Sequence, residues 1–347
     1  MTERRVTERD VPLAAIRQAA QTLAGRIHRT PMLSSRTAAA LAGERLGVRL
    51  GCGPGSADAP RLFLKAEHLQ VTGSFKVRGA TNRAAQLTDG ERRRGVITAS
   101  NGNHGQAVAY AGAAVGTPVT VVMPVVATQS KIAAAAGYGA TVVLHGEHFG
   151  EALAHAEALR DEGGLTLIHA YDDPAVIAGQ GTVGLEIIDD LPGVDVVVVG
   201  AGGGGLVSGV ASAIKAIRPT SRVYAVEPVA SDALRRGVEA GHPVGITPTT
   251  MADGLGAAAA GEWTLAIASR LVDGFVIVDE ATIAGGVVFA LERMKQLLEP
   301  AGAAALAAVL AGRVPIGDGE TVACIGSGGN VDLHRLPEIT ALAEAGA

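Results

Sequence analysis

The chain has 347 residues, of which 48% are hydrophobic and 18% charged, and its formal net charge is −5. This length predicts two domains or one large α/β unit, and the hydrophobic content excludes disorder for the bulk of the chain. The negative charge argues against a protein that binds nucleic acid or an anionic membrane. Two cysteines, Cys52 and Cys324, are too few for a disulfide framework and fit a reducing compartment.

Short β-branched runs alternate with longer alanine-rich segments. The runs predicted as buried strands are Arg61–Lys65, Val96–Thr98, Val119–Met123, Thr141–Leu144, Asp195–Val199, Val223–Glu227, Phe275–Val278 and Thr321–Ile325. The segments predicted as helices include Pro12–Ala24, Gly79–Leu87, Gly105–Val115, Ser130–Gly137, Gly150–Glu162, Gly181–Asp189, Leu206–Ile217, Ile283–Glu299 and Ala303–Leu310. This alternation is typical of parallel sheets covered on both faces, and it predicts the α/β class with two open, twisted, mostly parallel sheets flanked by helices.

Two α/β blocks divide the chain into a small and a large domain. We expect residues 95–164 to form the small domain, and residues 1–94 together with 165–347 to form the large one. Gly51–Asp58 contains Gly, Pro and Ser and predicts a surface loop, to which we assign no role.

Neither a membrane span nor a signal peptide is expected. Val196–Ile214 is long and apolar enough to raise the question of a membrane helix, but six of its residues are glycine. Met1–Asp10 is charged and no apolar segment of a signal peptide follows it. We therefore expect a soluble, cytoplasmic protein.

Four consecutive glycines, Gly202–Gly205, lie between a predicted strand and a predicted helix. Exposed N–H groups at a helix start form a cradle for phosphate, whereas a plain turn does not require the backbone entropy that four glycines cost. Gly200, Gly202 and Gly205 also fit the dinucleotide fingerprint, with Glu227 ending the next strand, which taken alone indicates NAD. That fingerprint usually opens the first strand of a nucleotide domain, and here it follows an entire α/β block.

Lys76 is one of five lysines and follows Gly73 and Ser74 at the start of a predicted helical segment. The positive end of a helix dipole lowers an amine pKa, and the neutral amine is the form that attacks an aldehyde to give a Schiff base. A solvated lysine behind an N-cap at Ser74 explains these residues equally simply, and from this segment alone that interpretation is favoured.

Two further strand ends carry Gly, Ser and Asn. Ser100–His104 offers backbone N–H groups to a carboxylate and side-chain amides to a hydroxyl, and Gly326–Asn330 follows the last predicted strand. A histidine in such a position is more often satisfied by its neighbours than a general base. All four glycine-containing segments can converge on one crevice, and their convergence is a stronger indication than any one of them.

With these motifs in this order, the chain resembles the pyridoxal-phosphate enzymes of fold type II, the tryptophan synthase β superfamily. Within it, the chain is similar to the serine/threonine dehydratase and serine racemase family. The resemblance extends from His28–Pro31 through Gly179–Thr182 and Glu299–Pro300 to Gly328–Asn330. It implies pyridoxal 5′-phosphate (PLP) in a crevice between the small and the large domain, and a homodimer.

The resemblance also implies a role for each motif. It makes Lys76 the catalytic residue that forms the Schiff base with the cofactor, Phe75 the residue that packs on the cofactor ring, and Asn103 the partner of the ring hydroxyl. The phosphate is assigned to Gly202, Gly203, Gly204, Gly205 and Leu206, the pyridine nitrogen to Ser327, and the substrate carboxylate to Ser100, Asn101, Gly102 and His104.

These roles imply a PLP-dependent dehydratase, or ammonia-lyase, that converts L-threonine or L-serine to a 2-oxo acid and ammonia. A neutral serine at the pyridine nitrogen limits the electron sink, which suits rapid loss of a β-hydroxyl over a long-lived carbanion. Only 17 residues follow Asn330, so the resemblance implies the short form without a C-terminal regulatory domain.

Two positions depart from patterns within the family. Racemases keep a serine where this chain has Asn101, an amide that cannot transfer a proton, so racemisation is disfavoured unless Ser100 reaches across. Relatives with a divalent cation pair a glutamate with an aspartate six residues on. Here Glu227 is a candidate ligand, but the second position is Ala233 and Asp232 is the only acid nearby, so no metal is assigned.

Several alternatives stay open. Within the class they are a serine racemase and a dehydratase for another 3-hydroxy amino acid, such as 3-hydroxyaspartate or phenylserine. An NAD-dependent oxidoreductase would rest on the glycine fingerprint, and a non-catalytic binding protein would not require Lys76. The adjacent pairs Asp172–Asp173 and Asp189–Asp190 are explained by solvated loops.

Overall fold

The computed structural model describes residues 9–51 and 58–346, and all that follows concerns these residues. Most of the predicted loop Gly51–Asp58, Cys52 included, lies outside them. Cys324 is a buried free thiol. Within the described ranges, no helix combines the length and the apolar character that crossing a membrane requires.

Two sheets and the helices that cover them make up the described part of the chain. The strands are β1 (Met32–Ser34), β2 (Leu62–Lys65), β3 (Val96–Ala99), β4 (Val119–Met123), β5 (Thr141–Leu144), β6 (Thr166–Leu167), β7 (Val196–Gly200), β8 (Arg222–Pro228), β9 (Gly274–Val278) and β10 (Val322–Ile325). The helices are α1 (Leu13–Leu23), α2 (Arg36–Leu46), α3 (Lys76–Ala85), α4 (Asp89–Arg94), α5 (Asn103–Val115), α6 (Gln129–Gly137), α7 (Phe149–Gly163), α8 (Pro174–Asp190), α9 (Gly205–Ile217), α10 (Ala233–Ala240), α11 (Glu262–Leu271), α12 (Glu280–Phe289), α13 (Pro300–Leu310) and α14 (Leu336–Ala345).

The predicted fold class is confirmed. One sheet has six strands in the order β1-β2-β10-β7-β8-β9, and the other has four in the order β5-β4-β3-β6. Every neighbouring pair is parallel except the edge pair β1–β2. The central strand β7 is buried along its whole length, which is why it consists of four valines and a glycine. Because the strands are parallel, the loops at their carboxyl ends lie along one edge of each sheet.

All the predicted strands are present, with small shifts at their ends, whereas two predicted helices are wrong at one end. The helix predicted as Gly181–Asp189 begins at Pro174 instead. Ile283–Glu299 was expected to be continuous, but α12 ends at Phe289 and is followed by a π-helical segment, Ala290–Met294. Lys295 then takes a left-handed backbone conformation with φ of 60°, and this stops the helix. The short strands β1 and β6 and helices α2, α4, α10, α11 and α14 are additions to the predicted elements.

The four-stranded sheet uses residues between Val96 and Leu167, and the six-stranded sheet uses the chain on both sides of it. The strands of the smaller sheet are thus contiguous in sequence, and those of the larger sheet are not. The division into a small domain, 95–164, and a large domain, 1–94 with 165–347, stays a prediction.

The two acidic pairs that were expected in solvated loops are instead tied to helices. Asp172 accepts the first backbone N–H groups of α11, and Asp173 accepts those of Ala175 and Val176 in α8. Asp189–Asp190 forms the last turn of α8, and both carboxylates pair with Arg29. Asp172 and Asp173 thus lie in a loop as expected, but their carboxylates are hydrogen-bonded to backbone N–H groups. The loop expectation is wrong for Asp189–Asp190, which is helical.

A buried ion network fixes the start of α3. Arg78 donates two hydrogen bonds to each of two carboxylates, Glu67 at 2.7 and 2.7 Å and Glu186 at 2.7 and 2.9 Å. Lys65 in β2 also reaches Glu186, with its Nζ 2.7 Å from Oε2. Arg78, Lys65 and Glu67 are at most 1% exposed. The network ties the turn before Lys76, helix α3 and helix α8 into one rigid unit.

Replacing Arg78 by methionine should destabilise the fold strongly, because Glu67 would remain buried without its cation. We expect the free energy of unfolding to fall by about 3–5 kcal/mol in urea titrations followed by circular dichroism. Arg160→Met is the matched control, since Arg160 pairs with Asp161 on the surface of α7 and should leave stability nearly unchanged. Equal losses in the two variants would contradict the assignment.

Candidate active site

Three of the four glycine-containing segments are joined directly. The Phe75 N–H donates to the Ser327 carbonyl at 3.1 Å, and the Gly329 N–H donates to the Gly73 carbonyl at 2.9 Å. Asn330 Nδ2 donates to Asn103 Oδ1 at 2.8 Å, which brings the loop after β3 to the same place. These three loops therefore meet as the sequence predicts, at the carboxyl ends of strands from both sheets, and we call the place where they meet the crevice.

The glycine loop after β7 is the fourth segment, and close packing explains its composition. A Cβ on Gly202 would lie 2.9 Å from the Leu255 carbonyl oxygen, and Gly203 has no room for one beside the Tyr171 ring. Gly204 has a φ of +94°, which L residues rarely adopt. Helix α9 begins at Gly205, directly after this turn, and the Leu206 side chain is buried. The N–H groups of the first turn of a helix have no partner within the helix, so they are available to a ligand.

The Lys76 amine lies at the start of α3 and points across to the segment before α8. Its Nζ donates to the Ala170 carbonyl at 2.9 Å, one residue before the tyrosine that packs on the glycine loop. Burial lowers the pKa of Lys76 to about 8, and the nearby Glu299 carboxylate partly opposes this shift. The amine is therefore substantially neutral at slightly alkaline pH. It lies 5.2 Å from the centroid of the half-buried Phe75 ring.

His104 is held neutral. Burial in the first place, and then the charge of Lys76, lower its pKa to about 3. Its Nε2 lies 2.9 Å from the Ile168 carbonyl oxygen, so this nitrogen carries the proton and donates it. A histidine used in this way is a structural donor, in keeping with the sequence-based preference for a satisfied ring.

The rest of the predicted substrate loop forms a backbone turn around Ser100. Ser100 Oγ accepts hydrogen bonds from the N–H groups of Gly102 at 3.1 Å and Gly105 at 2.9 Å. Asn101 is exposed at the tip of the loop. Ser327 is buried on the other side of the crevice, with its hydroxyl 3.4 Å from the Ala301 carbonyl.

Glu299 is the main residue that the sequence analysis gave no role. Its Oε1 accepts a hydrogen bond from Asn103 Nδ2 at 2.6 Å, so the Asn103 amide is oriented by Glu299 on one side and by Asn330 on the other. Burial, and then the charge of Asp253, raise the pKa of Glu299 to about 7. The only sequence signal was its position at the N-cap of α13, directly before Pro300.

Glu227 is occupied by the protein itself. Its two carboxylate oxygens accept the N–H groups of Leu234 at 2.9 Å and Arg235 at 3.0 Å, at the start of α10. Asp232 pairs with Arg235 and Arg236. No cluster of three or more metal-ligating side chains is found among residues 9–51 and 58–346. We propose no cation at Glu227.

The residues of the crevice fit PLP. The cofactor needs an amine for its aldehyde, a cradle for its phosphate and polar partners for its ring, and the crevice offers Lys76, the amides that open α9, and Asn103. In the described part of the chain, the buried hydroxyls of Ser74 and Thr72 find no hydrogen-bond partner. Because buried polar groups are rarely left unpaired, these atoms indicate a ligand-binding surface. Ser74 is not the N-cap of α3, a position that Phe75 takes.

A buried lysine amine together with a glycine-rich helix start is the combination that a phosphorylated aldehyde cofactor requires. Residues 23–328 match the model of the pyridoxal-phosphate dependent enzyme family, and the chain belongs to that family. The cofactor is therefore pyridoxal 5′-phosphate, and the NAD interpretation of the glycine fingerprint is wrong.

Relatives and solved structures agree with this family. The catabolic L-threonine dehydratase of Escherichia coli K12 is 42% identical over 341 residues, which cover 97% of this chain and 98% of the relative. The processed form of threonine deaminase isoform 2 from Solanum lycopersicum has a TM-score of 0.84 at 34% identity, covering 96% of this chain and 95% of that one. Maize serine racemase has a TM-score of 0.84 at 33% identity, covering 97% and 98%.

The lowered pKa of Lys76 can be measured in the cofactor-free protein. We expect its acetylation rate, followed peptide by peptide with mass spectrometry, to rise with pH around a midpoint near 8. Glu299→Gln should move the midpoint lower, because it removes the carboxylate that stabilises the ammonium form. A midpoint near 10.5, the ordinary lysine value, would refute the account.

Proposed function

We propose that the chain is a PLP-dependent dehydratase that converts L-threonine, L-serine or both to a 2-oxo acid and ammonia. The observation that carries the proposal is Lys76, a lysine with its pKa lowered to about 8 and its amine placed in the crevice where four loops meet. The length and identity of the match to catabolic L-threonine dehydratase support the choice of substrate.

The cofactor supplies the electron sink that stabilises negative charge at the substrate Cα. Lys76 then acts as the base at that carbon, because half of its population is neutral near pH 8 and can accept a proton. The Ala170 carbonyl, at 2.9 Å, holds the amine in the crevice rather than in solvent. The Lys76 amine also anchors the cofactor, so the same group binds and catalyses.

The groups that we assign to orient the cofactor are themselves held in place by other parts of the protein. We assign the phosphate to Gly202–Gly205 and Leu206, the ring hydroxyl to Asn103 and the pyridine nitrogen to Ser327. The Asn103 amide is held by hydrogen bonds of 2.6 and 2.8 Å to Glu299 and Asn330, which leaves one of its N–H bonds for the cofactor. The Phe75 ring is assigned to the face of the cofactor.

The substrate carboxylate is assigned to the loop Ser100–His104. Helix α5 begins at Asn103, so the N–H groups of this loop lie at the positive end of a helix dipole. The Ser100 hydroxyl shapes the loop by accepting the N–H of Gly102 within it and the N–H of Gly105 in the first turn of α5. His104 Nε2–H donates to the Ile168 carbonyl, and this hydrogen bond holds the loop on the four-stranded sheet.

Racemisation is the second candidate, because maize serine racemase has the same fold. A racemase needs a proton donor on the face of the substrate opposite to Lys76. Asn101, which stands where racemases keep a serine, has an amide that cannot supply a proton. We therefore propose dehydration as the main reaction.

We further infer that the protein works in the cytoplasm and as a homodimer. The buried free thiol of Cys324 supports a reducing compartment, and the homodimer rests on the family resemblance. Light scattering of the purified protein reads the assembly directly.

The dehydratase proposal is tested by the visible spectrum of the purified holoenzyme and by 2-oxo acid release from L- and D-3-hydroxy amino acids. We expect a yellow protein that deaminates L-threonine or L-serine, and a Lys76→Ala variant that loses the band and roughly 1,000-fold or more in kcat, as expected when the covalent and acid–base roles disappear together. Lys295→Ala, at an exposed lysine, is the control. A yellow protein inactive on the whole panel would refute dehydration, and D-serine formed faster than the 2-oxo acid would favour a racemase.

The phosphate cradle is tested by Gly203→Ala. Its Cβ would overlap the Tyr171 ring, so we expect the dissociation constant for PLP to rise by about tenfold or more, equivalent to about 1.4 kcal/mol. Gly285→Ala in α12 is the control, because nothing lies within 4 Å of its added methyl group. Fluorescence titration with PLP measures both. An unchanged affinity in Gly203→Ala would contradict the cradle.

A further inference from the structure

A lysine–aspartate pair joins the two sides of the crevice. Lys131 lies in α6, beside the four-stranded sheet, and Asp253 lies in a short 3₁₀ turn next to the glycine loop. The distance between Lys131 Nζ and Asp253 Oδ2 is 2.6 Å. Both side chains are partly exposed, at 25% and 42%, so they line the mouth of the crevice rather than its floor.

The pair touches the site on both flanks. A Cβ on Gly102, in the loop assigned to the substrate carboxylate, would lie 3.6 Å from Lys131 Cε. A Cβ on Gly254, which follows Asp253, would lie 3.9 Å from Glu299 Oε1. A substrate bound at the loop Ser100–His104, beside Lys76, would therefore lie next to Lys131 on one flank and next to Asp253 and Glu299 on the other.

We propose that Lys131 and Asp253 form a charge filter that admits 3-hydroxy amino acids with a neutral side chain and rejects those with a second carboxylate. This inference rests on the proposed function and names its substrate class. Asp253 neutralises the cation at the crevice mouth that could bind a second carboxylate, and its own charge and that of Glu299 repel one. A hydroxyl, or a hydroxyl with a methyl group, leaves the ion pair intact.

The filter should act through the charge of the substrate side chain rather than through the size of that side chain. Two unit charges a few ångströms apart interact by enough, at the effective dielectric of a partly exposed site, to change binding by about tenfold. Removing Asp253 frees Lys131 to bind the second carboxylate. Removing Lys131 leaves Asp253 unpaired and strengthens the repulsion. The two variants of one ion pair are therefore expected to have opposite effects.

L-Aspartate and L-asparagine are the probes, because they are nearly isosteric and lack the hydroxyl leaving group. The measured quantity is the ratio of their dissociation constants for the holoenzyme, aspartate over asparagine, obtained by calorimetry at low salt. We expect Asp253→Asn to lower this ratio by about tenfold and Lys131→Met to raise it by a similar factor, with both changes shrinking at high salt. Asp253→Asn should also raise kcat/KM for 3-hydroxyaspartate relative to L-threonine.

Asp273→Asn is the matched control. Asp273 pairs with Lys215 at 2.8 Å with similar exposure, but it directly precedes β9, at the amino edge of the sheet, away from the crevice. It should leave the ratio unchanged. A ratio that stays constant in Asp253→Asn, or that moves in the same direction in both variants of the pair, would overturn the filter.

The calorimetric ratio does not depend on turnover. If the wild-type holoenzyme releases no 2-oxo acid from L-threonine or L-serine while the ratio shifts as expected, the proposed function fails and the charge filter survives. If the wild-type holoenzyme releases 2-oxo acid but the ratio of dissociation constants does not change in the variants, the proposed function survives and the charge filter fails.

Discussion

The site depends on one interaction, the pairing of the Arg78 guanidinium with the carboxylates of Glu67 and Glu186. Two residues before Arg78, Lys76 opens α3, and a helix start is normally its most mobile part. Here the guanidinium binds Glu67 in the preceding turn and Glu186 in α8 with four hydrogen bonds of 2.7–2.9 Å. Planar, bidentate pairing of this kind fixes direction as well as distance, which a lysine could not do. The position of the Lys76 amine is thus set by a charge network at the start of its own helix.

Burial then sets the protonation of the groups above this network. It lowers the pKa of Lys76 to about 8 and raises that of Glu299 to about 7, so both groups are brought toward neutral pH from opposite directions. His104 is taken out of the titrating range altogether, with a pKa of about 3. Near neutral pH the crevice therefore contains two groups that can titrate, Lys76 and Glu299, and one donor that stays neutral, His104. Such separation of pKa values is a feature of catalytic sites.

The sequence predicted the fold and the converging loops because both follow from local patterns. Runs of valine mark buried parallel strands, and parallel strands bring glycine-rich ends together at one edge. Glu299 and the Lys131–Asp253 pair could not be found in this way, because their partners are distant in the chain and single charged residues carry no periodic signal. The end of α12 was missed for a related reason. The composition of Ile283–Glu299 favours a helix, and only the backbone of Lys295, with φ of 60°, shows that it stops.

The Lys131–Asp253 pair connects substrate selection to the protonation of the site. Asp253 raises the pKa of Glu299 and Lys131 lowers it, so in the intact pair the two influences oppose each other and burial dominates. If either charge is neutralised, the pKa of Glu299 shifts in the direction set by the charge that remains. Glu299 orients Asn103, the residue assigned to the cofactor ring. A substrate carboxylate that displaced Asp253 from Lys131 would therefore disturb the cofactor as well as the mouth of the crevice. Selection against such substrates therefore also preserves the hydrogen bond by which Glu299 orients Asn103.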